Sequence, residues 1–570
     1  MCGIFCEISC KECIVVKDTQ VIDRIKNRGP NWYDIINITG DTRINASFCS
    51  SVLHTQGPEL TEQPVVNDCG ILLYNGDIYD ETWDIEKSDT EEIMHKLNNR
   101  NDTKSEQEII NILKLLKGPF SIIYYNKATN DLFFTRDKIG RNSLLFHINN
   151  KSFVISSVLS RKYYECVEVP ATHIHVLNLR SNIISLHPWD CEALSSEKHD
   201  LEDWFNILQS RQMLSDEQFV LEYHSTQNLF NEDNVVEYIQ TIADTIKCKL
   251  TLMKKIMEQS VINETIFKIT KLLEKSVEIR LKRQPAKCKL CITLNALICH
   301  HSSVGILFSG GLDCTILAFI ADKYISQEQS IDLINVAFSK NNNQSYDVPD
   351  RITAKHSLEQ LKKLCPKREW VFREVNVTKE ELERCQASTI ADLVYPRKTI
   401  LDESLGSALW FAARGQDNDS ISTSRVLLLG SGADELFGGY TRHRNAFRRR
   451  GWSGLAEELD LDWKRISFRN LARDNRVICD HGRQPRMPYL DEDFTEFVLK
   501  LKPWLKCFPS DSLGPGVGDK LMLRLIAVNL GLADVALFPK RALQFGSRIA
   551  NKNEKGSDLS KSFLCENNKK

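Results

Sequence analysis

Val304-Gly305-Ile306-Leu307-Phe308-Ser309-Gly310-Gly311-Leu312-Asp313-Cys314 opens the unit that decides the fold class. The first five residues, mostly apolar, read as a buried strand. Ser309, Gly310 and Gly311 make a tight turn, and the apolar run 315–321 opens a helix. Two glycines between strand and helix leave bare backbone N–H groups free to face an anion. The helix N-terminus adds its partial positive charge, and the geometry suits phosphate. No Lys follows the second Gly, so this is not the G-x-x-x-x-G-K-[ST] loop. A plain strand-to-helix turn without a ligand is the competing reading of Gly-Gly alone.

The alternation continues downstream. Strands are expected over 304–308, 333–338, 370–377 and 426–429, with helices over 315–324, 350–364, 379–393 and 403–414. That regularity predicts a doubly wound parallel sheet covered by helices on both faces, with ligands beyond the strand C-termini. The fourth strand runs into Gly430-Ser431-Gly432-Ala433-Asp434-Glu435, a second glycine-rich turn that carries carboxylates. Glycine loops beside acidic residues suit a phosphate bound through Mg²⁺, which takes one or two carboxylates and keeps water. A capped helix would explain Asp434, but not two such loops in one sheet.

Residues 1–180 read differently. Short apolar or alternating runs at 35–38, 71–74, 120–125, 132–135, 144–148, 153–156 and 174–179 are separated by Gly, Asn and Asp turn signals. They predict a β-rich unit with helices over 91–97 and 107–116. Loss of Met1 would leave Cys2 with a free α-amine beside its thiol. Such an amine, of pKa roughly 7.7–8.0, can take the thiol proton near neutral pH. Residues 187–265 form a linker or insert with helical periodicity over 201–208 and 235–242 and a loop over 231–234. A clearer amphipathic helix over 266–283 leads into the second unit. Cys288, Cys291, Cys299, His300 and His301 invite a zinc reading, but the second half lacks the usual C-x₂-C or H-x₃-H step. The apolar residues between them, Ile292, Leu294, Ala296, Leu297 and Ile298, predict a packed segment with core cysteines instead.

At 570 residues the chain has room for two to four domains. A net charge of −2, spread along the chain, points to neither nucleic acid nor an anionic membrane as main partner. No apolar run is long enough to span a bilayer, and the N-terminus has no signal-peptide pattern. Eighteen cysteines in such a chain fit reduced thiols in the cytoplasm.

Two motif sets carry a family resemblance. In order come Cys2-Gly3-Ile4, Arg28-Gly29-Pro30-Asn31-Trp32, Gln63-Pro64, Asn75-Gly76-Asp77-Ile78-Tyr79, Ser88-Asp89-Thr90-Glu91 and Arg136-Asp137-Lys138-Ile139-Gly140. Together they resemble the class II glutamine amidotransferase domain, an N-terminal-nucleophile fold. The S-G-G-L-D and G-S-G-A-D-E loops, with Arg483–Asp491, Asp519–Arg524 and Pro539-Lys540-Arg541, resemble the pyrophosphatase-loop synthetase domain of the glutamine-hydrolysing asparagine synthetase family. The resemblance implies 2–186 as amidotransferase, 187–265 as insert, 266–550 as ATP-binding synthetase and 551–570 as a polar tail. It implies Cys2 as nucleophile, Asn75 and the N–H of Gly76 as oxyanion hole, and Asp89 as partner of the glutamine α-amine. It implies ATP at Leu307, Ser309, Gly310, Gly311, Asp313, Gly432 and Lys540, and Mg²⁺ at Asp313 and Asp434. Glutamine and aspartate, or another carboxylate acceptor, would be the substrates.

There are departures, and they resemble the divergent asparagine synthetase domain-containing members more than the housekeeping enzyme. Ser51 stands where the family has an Arg for the glutamine carboxylate. Ser431 replaces a Glu that assists ammonia attack, and a hydroxyl cannot act as a carboxylate base at pH 7. Cys314 replaces a Ser, and Ala542–Gln544 shift the spacing after Lys540. They also motivate the rival expectation of a non-enzymatic scaffold on the same fold.

Overall fold

Five parallel strands form the sheet of the C-terminal half, in the order Trp370–Val377, Ile331–Phe338, Val304–Leu307, Val426–Leu428 and Gln484–Arg486. A computed structural model describes residues 2–9, 18–39, 45–84, 87–97, 104–149, 152–161, 163, 166–189, 198–214, 233–285, 287–340, 345–514, 516–550 and 554–564. Successive strand residues feed opposite faces of this sheet. Ile306, Leu333 and Leu428 pack under helices Ser260–Lys282, Leu312–Ala321 and Leu521–Asn529. Ile334, Val336, Leu427 and Leu429 pack under Ile400–Arg414 and Ala472–Cys479. The chain leaves the central strand Val304–Leu307 to one side for two strands, then returns to its other side. That reversal places the topological switch between Val304–Leu307 and Val426–Leu428. The helix expected over 379–393 is interrupted by a wider turn at Gln386–Ile390.

Two six-stranded antiparallel sheets make the N-terminal half. Their facing sides share a core of Ile4, Cys6, Ile8 and Phe48 with Ile71, Leu73, Ile123 and Phe134. The helices Asp89–Leu97 and Glu106–Lys114 cover the outer face of one sheet. Helix Thr19–Arg28 covers the other, in a core that runs on into Leu393 and Val477 of the C-terminal half. The expected strands are present. The strands Gly3–Ser9 and Asn45–Val52, at the middle of the first sheet, were not anticipated. Both are buried on both faces, so small polar Ser and Cys alternate with nothing and no period-two signal survives.

The described parts of the stretch 187–265 pack on both halves. Trp204, on helix Lys198–Ser210, inserts edge-on against Phe134, Phe146 and His175. Helices Asn234–Thr245 and Lys249–Ile256 bury Val236, Ile239 and Met253 in the C-terminal core. Of the loop expected at 231–234, the first two residues lie outside the described residues, Asp233 is a helix N-cap and Asn234 begins the helix. Residues 554–564 of the expected tail pack back, with Leu559 bridged to Thr399 and Ser560 N–H donating to the carbonyl of Lys398; Lys569 and Lys570 lie outside the described residues.

A buried polar junction joins the halves. Asp77 accepts from Gln484 and from Tyr79 (2.8 Å), and lies 3.3 Å from the guanidinium of Arg486. Arg486 also donates to the carbonyls of Arg280, Arg283 and Thr55. Replacing one member of such a pair leaves the other charged and dry, which costs about 3–5 kcal/mol. Arg486→Met is therefore expected to lower the urea midpoint by a corresponding amount and to open a protease cut between the halves. An unchanged midpoint would show that the junction does not hold them together.

Candidate functional site

The two loops flanking the switch meet at one cavity of about 780 Å³. Leu307, Ser309, Gly311 and Asp313 line it from the first loop, Ser431, Gly432 and Asp434 from the second, and Lys520 and Lys540 from the C-terminal region. Gly310 shapes the turn behind them. Its φ is +74°, and a Cβ there would lie 2.3 Å from the Cα of Ala354, so only glycine fits. Ser357 donates to the Gly310 carbonyl (2.6 Å) and Asn335 to that of Phe308 (2.8 Å), which fixes the turn from below.

Lys520 sets the electrostatics. Its ammonium lies 2.6 Å from Asp313 Oδ2 and 2.7 Å from Asp434 Oδ1, while Lys540 sits 2.5 Å from Asp434 Oδ2. Although burial disfavours its charge, the two carboxylates hold Lys520 above the ordinary lysine range. Burial opposes the ionisation of Asp434, but Lys520 and Lys540 together keep it well below the usual carboxylate range. Asp313 Oδ1 is buried without a partner. An unused carboxylate oxygen beside a second carboxylate fits Mg²⁺, which needs few protein ligands and completes its shell with phosphate and water.

Glu435 lines the same cavity and was not singled out from the sequence. Burial, reinforced by the charge of Asp434, raises its carboxyl to about 7. It accepts from Tyr440 Oη (2.6 Å) and Asn470 Nδ2 (3.0 Å). Ser431, on the loop where a base was sought, is half-buried. Gly556 and Ser557, which the sequence reading assigned to a polar tail, also line the cavity.

In the N-terminal half Cys2 is buried at the head of Gly3–Ser9. Burial raises its thiol; the N–H of Leu53 opposes this, and Asp89 and Asp77 add to it. Gln63 Nε2 lies 3.6 Å from the sulfur, and its Oε1 accepts from Tyr74 N–H (2.8 Å). Asp89 accepts from Tyr74 Oη (3.0 Å), Ile78 N–H (3.3 Å) and Thr90 N–H (2.9 Å). Asn75 donates to Ser121 Oγ (3.2 Å) and keeps Oδ1 buried without a partner. Gly76 pairs with Phe120, and a Cβ on it would strike the carbonyl of Pro119 at 2.4 Å. Ser51 has become a strut: it accepts from Gly3 N–H (3.1 Å) and donates to the Ile25 carbonyl (2.5 Å).

A chain of buried amides runs from this site into the other half. Asn142 donates to the Asn75 carbonyl (2.8 Å), Asn475 to Asn142 Oδ1 (3.1 Å), and Arg28 to Asn475 Oδ1 (3.0 Å) and the Cys2 carbonyl (3.3 Å). Arg28 Nη1 is buried without a partner.

The cysteine segment departs from expectation. Leu294, Leu297 and Ile298 are 77%, 95% and 72% exposed, whereas Cys288 and Cys291 turn inward. The apolar residues therefore do not build a core around the thiols. Instead Cys288, Cys291, Cys299 and His301 converge, with ligand atoms all within 4.8 Å of one another. The sequence offered these residues as zinc ligands but argued against them, because the histidine follows Cys299 at i+2, outside the spacings of common zinc motifs.

Comparison with known proteins agrees with this division. Residues 298–453 match the asparagine synthase family and residues 51–161 a glutamine amidotransferase domain. An asparagine synthetase domain-containing protein of Drosophila melanogaster is 39% identical, covering 98% of this chain and 100% of that one. Asparagine synthetase domain-containing protein 1 of Homo sapiens is 34% identical, over 98% of this chain and 97% of its own length. A putative glutamine-hydrolysing asparagine synthetase of Methanocaldococcus jannaschii is 25% identical over 77% of this chain and 66% of that one.

Asp89 generates a pH prediction. Burial, then the neighbouring Asp77, raise its carboxyl from 3.8 to about 7. The folded chain therefore holds a proton that the unfolded chain releases, so this group's contribution to stability is lost as pH rises from about 4 through about 7. Pairing with an α-ammonium requires the anion. Calorimetric affinity for glutamine, measured on Cys2→Ala, should rise by up to about tenfold per pH unit below pH 7 and level off above it. A flat profile, or one unchanged in Asp89→Asn, would remove Asp89 from the glutamine site.

Proposed function

Because the chain belongs to the family of asparagine synthetase domain-containing proteins, we propose that it is a glutamine-dependent, ATP-consuming amidotransferase of the asparagine synthetase type. In this reading, aspartate, glutamine and ATP yield asparagine, glutamate, AMP and pyrophosphate. The observation that carries it is the single cavity at the sheet switch, where two glycine loops, Asp313, Asp434, Lys520 and Lys540 converge. Among the described residues no cysteine is in a disulfide, which suits the reducing cytoplasm, and no described helix is long and apolar enough to cross a membrane.

Cys2 attacks the glutamine amide, its proton passing to the α-amine freed by loss of Met1. Asn75 and the Gly76 N–H receive the oxyanion, and Asp89 holds the glutamine α-ammonium. Ammonia follows the amide chain through Asn142 and Asn475, where Asn75 Oδ1 and Arg28 Nη1 offer an unused acceptor and donor. In the second half Ser309, Gly310, Gly311 and Gly432 cradle the ATP phosphates, Leu307 borders the nucleotide, and Lys520 and Lys540 balance the charge of the departing pyrophosphate. Asp313 and Asp434 would hold Mg²⁺, which would add to the neutralisation of that charge. Glu435, with a carboxyl near 7, assumes the proton-accepting role that Ser431 cannot fill.

A second reading keeps the fold and abandons the chemistry. It is favoured by Ser51, whose hydroxyl is taken up by the Gly3 N–H and the Ile25 carbonyl, and by Ser431. Calorimetry with Mg·ATP separates an empty cavity from an occupied one. Heat in the native chain that disappears in Asp313→Ala excludes a cavity without nucleotide.

The proposal is tested by AMP formation from Mg·ATP and ammonium with and without aspartate. Aspartate-dependent AMP is expected; its absence would move the reading to another carboxylate or to the scaffold. Cys2→Ala should abolish glutamine-driven turnover and spare ammonium-driven turnover, whereas surviving glutamine-driven turnover would displace Cys2 as nucleophile. Glu435→Gln should lower ammonium-driven amidation about a hundredfold while aspartate-dependent ATP–pyrophosphate exchange persists. Equal loss of both would make Glu435 structural.

A further inference from the structure

We propose that Cys288, Cys291, Cys299 and His301 form a structural zinc site that clamps the segment between helix Ser260–Lys282 and strand Val304–Leu307. His301 Nδ1 lies 3.8 Å from Cys288 Sγ, 3.4 Å from Cys291 Sγ and 3.8 Å from Cys299 Sγ. Around one tetrahedral zinc with Zn–S of about 2.3 Å and Zn–N of about 2.05 Å, the sulfur-to-nitrogen edge is about 3.6 Å. The three observed edges bracket that value. One histidine nitrogen nearly equidistant from three sulfurs describes a shared centre. A disulfide would pair two sulfurs at bonding distance and leave the third outside.

The immediate surroundings support thiolates. Cys291 N–H donates to Cys288 Sγ and Cys288 N–H to Cys299 Sγ, each at 3.3 Å. Such N–H bonds orient sulfur ligands and stabilise their negative charge. Three sulfurs and one imidazole suit zinc among the divalent metals, and four protein ligands leave no open position. The site is structural and takes no part in the chemistry of the cavity.

Its mechanical purpose follows from what surrounds it. Leu290, Leu294, Leu297 and Ile298 face outward, so apolar burial does little to hold the loop in place. Yet this loop carries the carbonyls of Pro285 and Lys287, which accept from Arg425 at 2.6 and 2.8 Å; Arg425 reaches the His54 carbonyl of the N-terminal half with its remaining arm. Lys289 ties the same loop to the carbonyls of Thr423 (2.8 Å) and His481 (2.6 Å). A metal centre thus supplies the rigidity that positions the interdomain junction. Three thiolates against a dication leave a net negative centre beside the Arg425 guanidinium, which offsets a buried cation.

The test is zinc content by plasma mass spectrometry of the full-length chain, expressed with zinc and purified without chelators. About one zinc per chain is expected. Cys291→Ser and His301→Ala should each lose it at least about tenfold, while the exposed Cys248→Ser keeps it. Should those variants fail to fold, the native chain decides: exchange with cobalt should give the intense visible bands of a tetrahedral, thiolate-bound ion. A zinc-free native chain without that spectrum overturns the proposal. So does zinc retained in both folded ligand variants, or a Cys288–Cys291 disulfide in non-reducing peptide maps. None of these readouts depends on catalytic activity.

Discussion

One buried ammonium holds the synthetase cavity in register. Asp313 and Asp434 come from loops more than a hundred residues apart in the chain, and their charges would repel across a partly dry cavity. Lys520 lies within 2.7 Å of both and converts that repulsion into a clamp. Its backbone is in the left-handed region, at φ +52°, a conformation that costs a side-chain-bearing residue of the order of 1–3 kcal/mol. Lys520 is the N-cap of helix Leu521–Asn529, so this turn both starts the helix and leaves the ammonium between the two loops. Glycine at 310 and 432 plays the complementary part, letting backbone approach where a side chain would collide.

The two halves are joined by a shared apolar core and by a set of buried polar groups. Asp77, Arg486 and Arg141 are buried at the junction and Glu492 is half-buried there, and each charge faces an opposite charge or several carbonyls. Desolvation makes such an interface a poor source of stability, but it penalises every misaligned arrangement heavily. Alignment is what a path between two sites requires. The bond from Asn475 to Asn142, which continues the chain from Asn75, crosses between the halves and depends on this docking. The loop around Cys288–His301 meets the same junction from outside.

Legibility varied with the kind of signal. The parallel sheet was plain in the sequence because hydrophobic strands and glycine turns recur there at regular intervals, and its helices fall within a few residues of expectation. The central antiparallel strands Gly3–Ser9 and Asn45–Val52 were obscured, since burial on both faces erases alternation. In the cysteine segment the expected burial of Cys288 and Cys291 holds, but the packing expected of the residues between the thiols does not. Apolar composition between thiols predicts a core, but Leu294, Leu297 and Ile298 are exposed while the thiols and His301 converge.

The sequence by itself determined the order of the two units, the positions of the glycine loops and the family resemblance carried by Cys2, Asn75, Asp89, Ser309–Asp313 and Asp434. These are local facts: turn chemistry and motif spacing need no knowledge of what lies across the fold. It also exposed the departures at Ser51 and Ser431. Only the tertiary structure decided what those departures mean physically. It turned Ser51 into a strut, brought Glu435 to the cavity with a carboxyl near 7, and put Lys520 between two aspartates. It also gathered three cysteines and a histidine around one point. Each of these depends on distances between residues remote in the chain and on burial that shifts their ionisation, and neither quantity is written in a linear pattern.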